Sequence, residues 1–138
     1  MAHTKFRVEV LTPDGELFNE EVEMLSTYTT DGSIGILANH ARLLAMLKPT
    51  ELRLYRSESE IVRFAQAEGY MQVGENRALI LVEEAYEPSA LNAEELRERL
   101  SVAEVEYDEA DEGSEKRRMA LRTRRRLEAF LRIASASG

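Results

Sequence analysis

The 138-residue chain has no cysteine and no tryptophan, only two histidines and three prolines, and no apolar run long enough to cross a bilayer. Each absence removes a class of function. Without thiols there is no disulfide, no thiolate nucleophile and no cysteine-held zinc or iron–sulfur site. His3 and His40 are too few for a histidine-rich metal centre, so neither a metal nor a cofactor is expected. A spanning helix needs ~20 mostly apolar residues, and the first residues lack a charged-then-apolar signal segment, so neither membrane insertion nor export is expected. The Gly-x-x-x-x-Gly-Lys-[Ser/Thr] phosphate loop, the Gly-x-Ser-x-Gly elbow and the His-Glu-x-x-His pair are all missing. Carboxylates are plentiful, but they are spread as a solvated surface is, whereas an acid/base dyad needs burial to separate its two pKa values. A non-catalytic chain is expected.

What is present in excess is charge, and it is unevenly placed. Residues 1–115 carry 10 Lys/Arg against 25 Asp/Glu, while residues 116–138 carry 8 against 1, so a net charge of −8 conceals an acidic body and a basic end. Such asymmetry suggests an interacting tail whose partner is nucleic acid, an acidic membrane or an acidic protein surface.

The body reads as strands. Phe6, Val8 and Val10 alternate with Lys5, Arg7 and Glu9, the period of a half-buried strand. Thr12-Pro-Asp-Gly15 turns the chain. Alternation returns at Glu21–Met24 and at Leu52–Leu54, and strand-like runs follow at Ile61–Phe64, Tyr70–Val73 and Ala78–Val82. Short strands separated by turn signals predict an antiparallel sandwich or barrel. Residues 36–47 are ambiguous: Ile36, Leu37, His40, Leu43, Leu44 and Leu47 fall at helical spacing, and by pattern alone they predict a buried helix ended by Lys48-Pro49.

Composition changes after Pro88. Asn92 is placed as an N-cap with Glu95 three residues on, opening a helix to about Ala110 whose apolar stripe is Leu96, Leu100, Ala103 and Tyr107. Glu112-Gly-Ser114 breaks it. A second helix carries the stripe Ala120, Thr123, Leu127, Phe130 and Ala134 beside a ridge of Arg118, Arg122 and Arg126, with Arg117, Arg124, Arg125 and Arg132 around it. Each like-charge i,i+4 pair costs an isolated helix ~0.2–0.5 kcal/mol, so the ridge needs an anionic neighbour. The carboxylates of the first helix are one candidate and an external acidic partner is the other. The chain is therefore expected to be α+β, an N-terminal antiparallel β-sandwich at residues 1–87 followed by an antiparallel two-helix hairpin at 88–138.

The densest segment, Asp31-Gly-Ser-Ile-Gly-Ile-Leu-Ala-Asn-His-Ala-Arg-Leu-Leu44, combines two glycines, a histidine and an apolar block with no catalytic partner, which suits a docking loop. His40 reads first as a turn-capping or partly buried histidine, a role compatible with docking. The pattern Gly-x-x-Gly-Ile-Leu-x-x-His-Ala-x-Leu-Leu closely resembles the signature of the epsilon chain of rotary, proton-translocating ATP synthases. Glu68–Val73 with Ala78–Val82, and the acidic-then-basic helical tail, are similar too. Arg42 departs from the family's usual proline.

The resemblance implies a turn and a strand, not a helix, after Ile36. It also implies a central-stalk rotor subunit that couples proton-driven rotation of the ring of c subunits to ATP synthesis. Asp31, Gly32, Ser33, Ile34, Gly35, His40 and Arg42 would face the ring and the gamma subunit. Arg117, Arg118, Arg122, Arg124, Arg125 and Arg126 would meet the beta subunit when the helices extend into the catalytic alpha/beta head and inhibit hydrolysis. The complex would sit peripherally at the cytoplasmic face of an energy-transducing plasma membrane. Some relatives bind ATP through Ile/Leu-Asp-x-x-Arg-Ala, but the corresponding Leu91, Asn92 and Glu95 lack both the aspartate and the arginine, so no nucleotide site is expected. A nucleic-acid-binding module built on the basic helix is the alternative, although the acidic body and the near absence of aromatics in that helix oppose it.

Overall fold

A computed structural model describes residues 4–137, so His3 lies outside the described residues. The chain divides into two compact units, with the boundary between Glu87 and Pro88.

The first unit contains ten strands: β1 (Phe6–Thr12), β2 (Gly15–Val22), β3 (Met24–Thr29), β4 (Gly32–Leu37), β5 (Leu43–Leu47), β6 (Thr50–Tyr55), β7 (Ile61–Gln66), β8 (Gly69–Gly74), β9 (Arg77–Val82) and β10 (Ala85–Tyr86). They form one continuous sheet in the order β10-β7-β6-β3-β5-β8-β9-β1-β2, with β4 paired to β3. β3 is the corner. Its first half pairs with β6 through Met24–Ser26 and its last residue, Thr29, with Leu47 of β5, so one strand serves both layers of a β-sandwich. Phe6, Val8, Val10, Leu25, Ile36, Leu52, Leu54, Met71 and Ile80 are fully buried between the layers.

Three details depart from the sequence reading. β1 pairs with β9 in parallel, from Arg7↔Arg77 to Leu11↔Leu81, so the sandwich is antiparallel except at that seam. The alternation at Glu21–Met24 crosses a strand boundary. β2 ends at Val22 and β3 begins at Met24; between them Glu23 is buried, and its N–H donates to the Tyr55 carbonyl at 2.7 Å. The helical spacing of residues 36–47 is the third. Asn39 sits at φ 60°, which ends β4, and β5 then alternates, turning Leu47 inward and leaving Leu44 72% exposed. A helix would have buried Leu43, Leu44 and Leu47 on one stripe. The sheet instead offers β5 a whole partner strand, β8, from Leu43↔Val73 to Leu47↔Gly69.

A local ion-pair cluster joins distant parts of the sheet. Arg56 donates from Nε and Nη2 to the two oxygens of Glu20, both at 2.8 Å, and from Nη1 to Glu60 at 3.0 Å. The Arg56 hydrogen bonds hold the Glu20 carboxyl below its ordinary 4.5, against a smaller opposing effect of burial and with further attraction from Arg7. A carboxylate whose folded pKa is depressed stabilises the fold above its unfolded pKa and loses that contribution as pH falls through the folded value. Glu20→Gln is therefore expected to lower Tm slightly at neutral pH and to flatten the acid limb, the two proteins converging as pH falls below about 4.5. Because both side chains are substantially exposed, the effect is small. Thermal denaturation of both proteins from pH 7 to pH 3 measures it, and parallel curves would contradict the assignment.

The second unit opens with a 3-10 turn at Pro88–Ala90, followed by α1 (Ala93–Glu109) and α2 (Glu115–Ser137), which form a helical hairpin. Asn92 is the N-cap of α1, its Oδ1 accepting from Glu95 N–H at 3.1 Å. Gly113 at φ 77° makes the reversal, and Ser114 caps α2 by accepting from the Arg117 N–H at 3.2 Å. Leu96, Ala103, Ala120, Leu127 and Phe130 of the expected stripes are buried, and Ala129 and Ile133 join them. No described helix is long and apolar enough to cross a membrane.

Candidate functional site

The glycine run begins in a β-hairpin turn whose chemistry is local. Thr29 Oγ1 donates to the Gly32 carbonyl at 3.1 Å and accepts from the Asp31 N–H at 3.1 Å, while Gly32 adopts φ 126°. The same construction occurs at Thr12-Pro13-Asp14-Gly15, where Gly15 has φ 128° and Thr12 Oγ1 contacts the Gly15 carbonyl and the Asp14 N–H. The repeated Thr-x-Asp-Gly spacing was a signal available in the sequence for the second turn as well as the first.

The two glycines are not equivalent. Gly32 needs its positive φ. Gly35 has ordinary strand geometry, and a Cβ there would meet nothing closer than the Leu25 carbonyl at 4.0 Å. The fold does not require Gly35 to lack a side chain. A strand glycine with open space beside it suits close approach by another backbone.

The structure does not gather the run into one cluster. Asp31 and Gly32 stand at one end of β4, beside Leu47, whereas Asn39, His40 and Arg42 stand at the other, beside the β8–β9 turn. Five residue steps along β4, from Gly32 to Leu37, separate the ends by ~17 Å. Ser33, Ile34 and Gly35 lie along β4 between them. At the far end the Asn39 N–H donates to Asn76 Oδ1 at 2.7 Å, and Asn76 Nδ2 donates to the Lys5 carbonyl at 3.3 Å. His40 Nδ1 bonds the Ala41 carbonyl at 2.7 Å, so this histidine braces its own turn. Arg42 reaches Glu75 at 3.4 Å, with both side chains about four-fifths exposed. The turn that lacks the family's proline is thus held by side-chain hydrogen bonds instead of a locked φ.

Sheet register creates a feature that no local sequence window shows. Met46 pairs with Tyr70, Tyr70 with Leu81, and Leu81 with Leu11, placing four apolar side chains in one row on the outer face of β5, β8, β9 and β1. Met46, Tyr70 and Leu81 are 55%, 52% and 44% exposed, and Leu44, one strand repeat away, is the most exposed large apolar side chain among the described residues of the unit. A soluble monomer rarely displays a contiguous apolar patch of this kind without a partner. The signal was present as apolar residues of both parities in Leu43–Leu47 and Leu79–Leu81, but only register joins them.

The arginines of α2 divide between two faces. Arg118, Arg122 and Arg125 are exposed, whereas Arg117, Arg124 and Arg126 are half-buried. The outward row is therefore 118, 122, 125 and not 118, 122, 126. At 3.6 residues per turn, i+7 returns to within ~20° of the start and i+8 overshoots it. For Arg117, Arg118, Arg122, Arg124 and Arg125, the expected neutralisation by α1 is not made through ion pairs. All seven α1 carboxylates, Glu94, Glu95, Glu98, Glu104, Glu106, Asp108 and Glu109, are exposed. Among Arg117, Arg118, Arg122, Arg124 and Arg125, the one ion pair in the described residues is Arg124 with Glu128 of its own helix, at 3.5 Å. The α1 side chain that does meet them is Tyr107: the Arg117 and Arg124 guanidinium carbons lie 4.2 and 5.0 Å from its ring centroid. Tyr107 is also the main influence holding the Arg117 guanidinium above its ordinary pKa, ahead of Glu112 and Asp108.

A ten-stranded sandwich with a Gly-x-x-Gly edge strand, followed by a two-helix hairpin, can be compared directly with known proteins. The family model described as "ATP synthase, Delta/Epsilon chain, beta-sandwich domain" matches residues 5–88. The ATP synthase epsilon chain of Sulfurihydrogenibium sp. (strain YO3AOP1) is 32% identical over 131 residues, covering 95% of this chain and 98% of the relative. The chain belongs to the ATP synthase epsilon-chain family. The epsilon chain of Persephonella marina is 36% identical over 106 residues, covering 77% of this chain and 78% of its own. A chain in the cryo-EM structure of the Euglena gracilis mitochondrial ATP synthase, titled OSCP/F1/c-ring, superposes with a TM-score of 0.79 at 19% identity, covering all of this chain and 85% of that one. That likeness establishes a shared fold extending through both units. In this chain Asn92 caps α1 and Glu95 is exposed.

Proposed function

We propose that this epsilon-family chain is the central-stalk rotor subunit that fastens the gamma shaft to the membrane ring of c subunits. Its β unit would be the coupling element and its helices would restrain ATP hydrolysis. The observation that carries this reading is the outward apolar row Met46–Tyr70–Leu81, which needs a stable partner, while the Asp31–Gly35 segment offers a second contact on a different part of the same sandwich. A rotor subunit between shaft and ring has two neighbours, and the ~17 Å separation of the β4 ends lets each have its own surface. Under this reading gamma covers the apolar row, and the ring meets Asp31, Gly32, Ser33, Ile34 and Gly35. His40 and Arg42 border the gamma side. The subunit is peripheral, on the cytoplasmic face with the catalytic head, and takes part in coupling without performing chemistry.

The exposed Arg118, Arg122 and Arg125 are the first charges an acidic surface of the catalytic beta subunit would meet when α2 extends, with Arg117, Arg124 and Arg126 following. Nucleic acid fits the basic helix less well. Its sole aromatic, Phe130, is 1% exposed and offers no base a stacking surface. Truncation after Glu87 in the assembled enzyme is expected to preserve proton-coupled synthesis and raise ATP hydrolysis severalfold. Loss of assembly on truncation would instead place the essential contacts in the helices and overturn this division of labour.

A further inference from the structure

The acidic side chains of α1 are exposed and, among the described residues, Arg117, Arg118, Arg122, Arg124 and Arg125 make no ion pair with them, so where these five arginines meet α1 the contact is of another kind. Ala103 and Ala120, both nearly fully buried, let the helices approach, but alanines supply little that would hold one register against another. The directional contact is at Tyr107, in the last turn of α1. Positions 117 and 124 are one heptad apart on α2 and so share a face, and both guanidiniums lie within the ~6 Å range of a cation–π contact with the same ring. The turn below is fixed by Gly113, by the Ser114 cap and by Arg118, whose Nη1 donates to the Gly113 carbonyl at 2.7 Å.

We propose that Tyr107 is the latch of the hairpin: it holds Arg117 and Arg124 in the closed state and must release both before α2 can present them to an acidic partner. Resting on the regulatory reading above, this adds a residue that sets its balance. An exposed ion pair is screened by salt. A cation lying on an aromatic face retains more of its attraction, because part of that attraction is apolar contact with the ring. Each contact shifts an equilibrium roughly 2.3- to fivefold, so two shift the closed-to-open ratio ~5- to 25-fold.

The test uses the full chain spin-labelled at Glu98→Cys and Arg132→Cys, exposed sites on opposite helices, with the open fraction read from the label-to-label distance distribution. Tyr107→Leu keeps apolar bulk and loses the ring face, and is expected to raise the open-to-closed ratio ~5- to 25-fold at both low and high salt. Tyr107→Phe keeps the ring face and should stay within about twofold of the parent. The double variant Arg117→Gln/Arg124→Gln retains the tyrosine and should match Tyr107→Leu, so a local folding defect at position 107 cannot imitate the result. Unchanged opening in both Tyr107→Leu and the double variant overturns the latch, and so does equal opening with Phe and Leu. Unlabelled Tyr107→Leu in the assembled ATP synthase then separates the two claims. Opening with lower hydrolysis supports both, whereas opening with unchanged hydrolysis leaves the latch standing and refutes the inhibitory role of the helices.

Discussion

Gly69→Ala is expected to destabilise the β unit by about 3 kcal/mol, the upper part of the range for forcing an atom into a packed interior. Gly69 opens β8 and pairs with Leu47 on one side and Val82 on the other. A Cβ there would collide with the Leu81 carbonyl oxygen and lie 2.8 Å from Val82 Cα. These are backbone atoms of β9, so relief requires moving a strand instead of rotating a side chain. For a unit of this size the loss corresponds to a fall in Tm on the order of 10–20 °C. Gly35→Ala supplies the contrast. With 4.0 Å of clearance and no positive φ, it should change stability by less than about 1 kcal/mol, since an alanine with room also reduces the entropy of the unfolded chain. Thermal or urea unfolding of the two variants decides the matter. Comparable losses would mean that backbone crowding at Gly69 is not what the glycine relieves. Retained stability in Gly35→Ala combined with impaired assembly would mark Gly35 as a place where a partner comes close.

Met46→Asp/Tyr70→Asp is expected to leave the isolated fold intact and to weaken association with the gamma subunit about 100-fold or more. The two residues are register partners on neighbouring strands and both face solvent, so charging them breaks no core contact. If gamma covers that row, two apolar anchors are lost and two carboxylates are desolvated. Truncating a single interface anchor costs ~2 kcal/mol or more, and every 1.4 kcal/mol is tenfold in Kd. Co-purification and binding measurements with gamma, alongside far-UV circular dichroism of the free variant, test this. Normal binding by a folded variant would show that the shaft docks elsewhere and would leave the apolar row needing another occupant.

Much of the architecture was legible because it is encoded locally. The alternation of Phe6, Val8 and Val10 sets a strand whichever neighbour it acquires. Asn92 with Glu95 caps a helix within one turn of chain, and Gly113 reverses the chain by its own φ. Residues 36–47 show where local reading fails. Their apolar spacing fits a helix as well as a strand, and the choice fell to strand because β8 offers a whole row of backbone hydrogen bonds. The candidate site was less legible. Asp31 and His40 are nine positions apart in sequence, yet a strand lies between them and carries them to opposite ends of the sheet. The α1 carboxylates looked like partners for the arginine ridge, but they are exposed, and Arg117 and Arg124 lie instead on Tyr107 of the expected apolar stripe.

By itself, the sequence determined the element types outside residues 36–47, the change from sandwich to hairpin after residue 87, the glycine at position 32 that its turn requires, and the signature that places the chain in the epsilon family. Each follows from backbone periodicity, turn geometry or a short contiguous pattern. Tertiary structure alone decided the parallel β1–β9 seam, the apolar row across β5, β8, β9 and β1, the two separated ends of β4 and the stacking of two arginines on Tyr107. The reason is physical: a one-residue slip in strand register exchanges every inward side chain for an outward one, and a small change in helix phase exchanges one facing residue for another. Those choices are made by the whole core at once, through contacts between residues far apart in the chain.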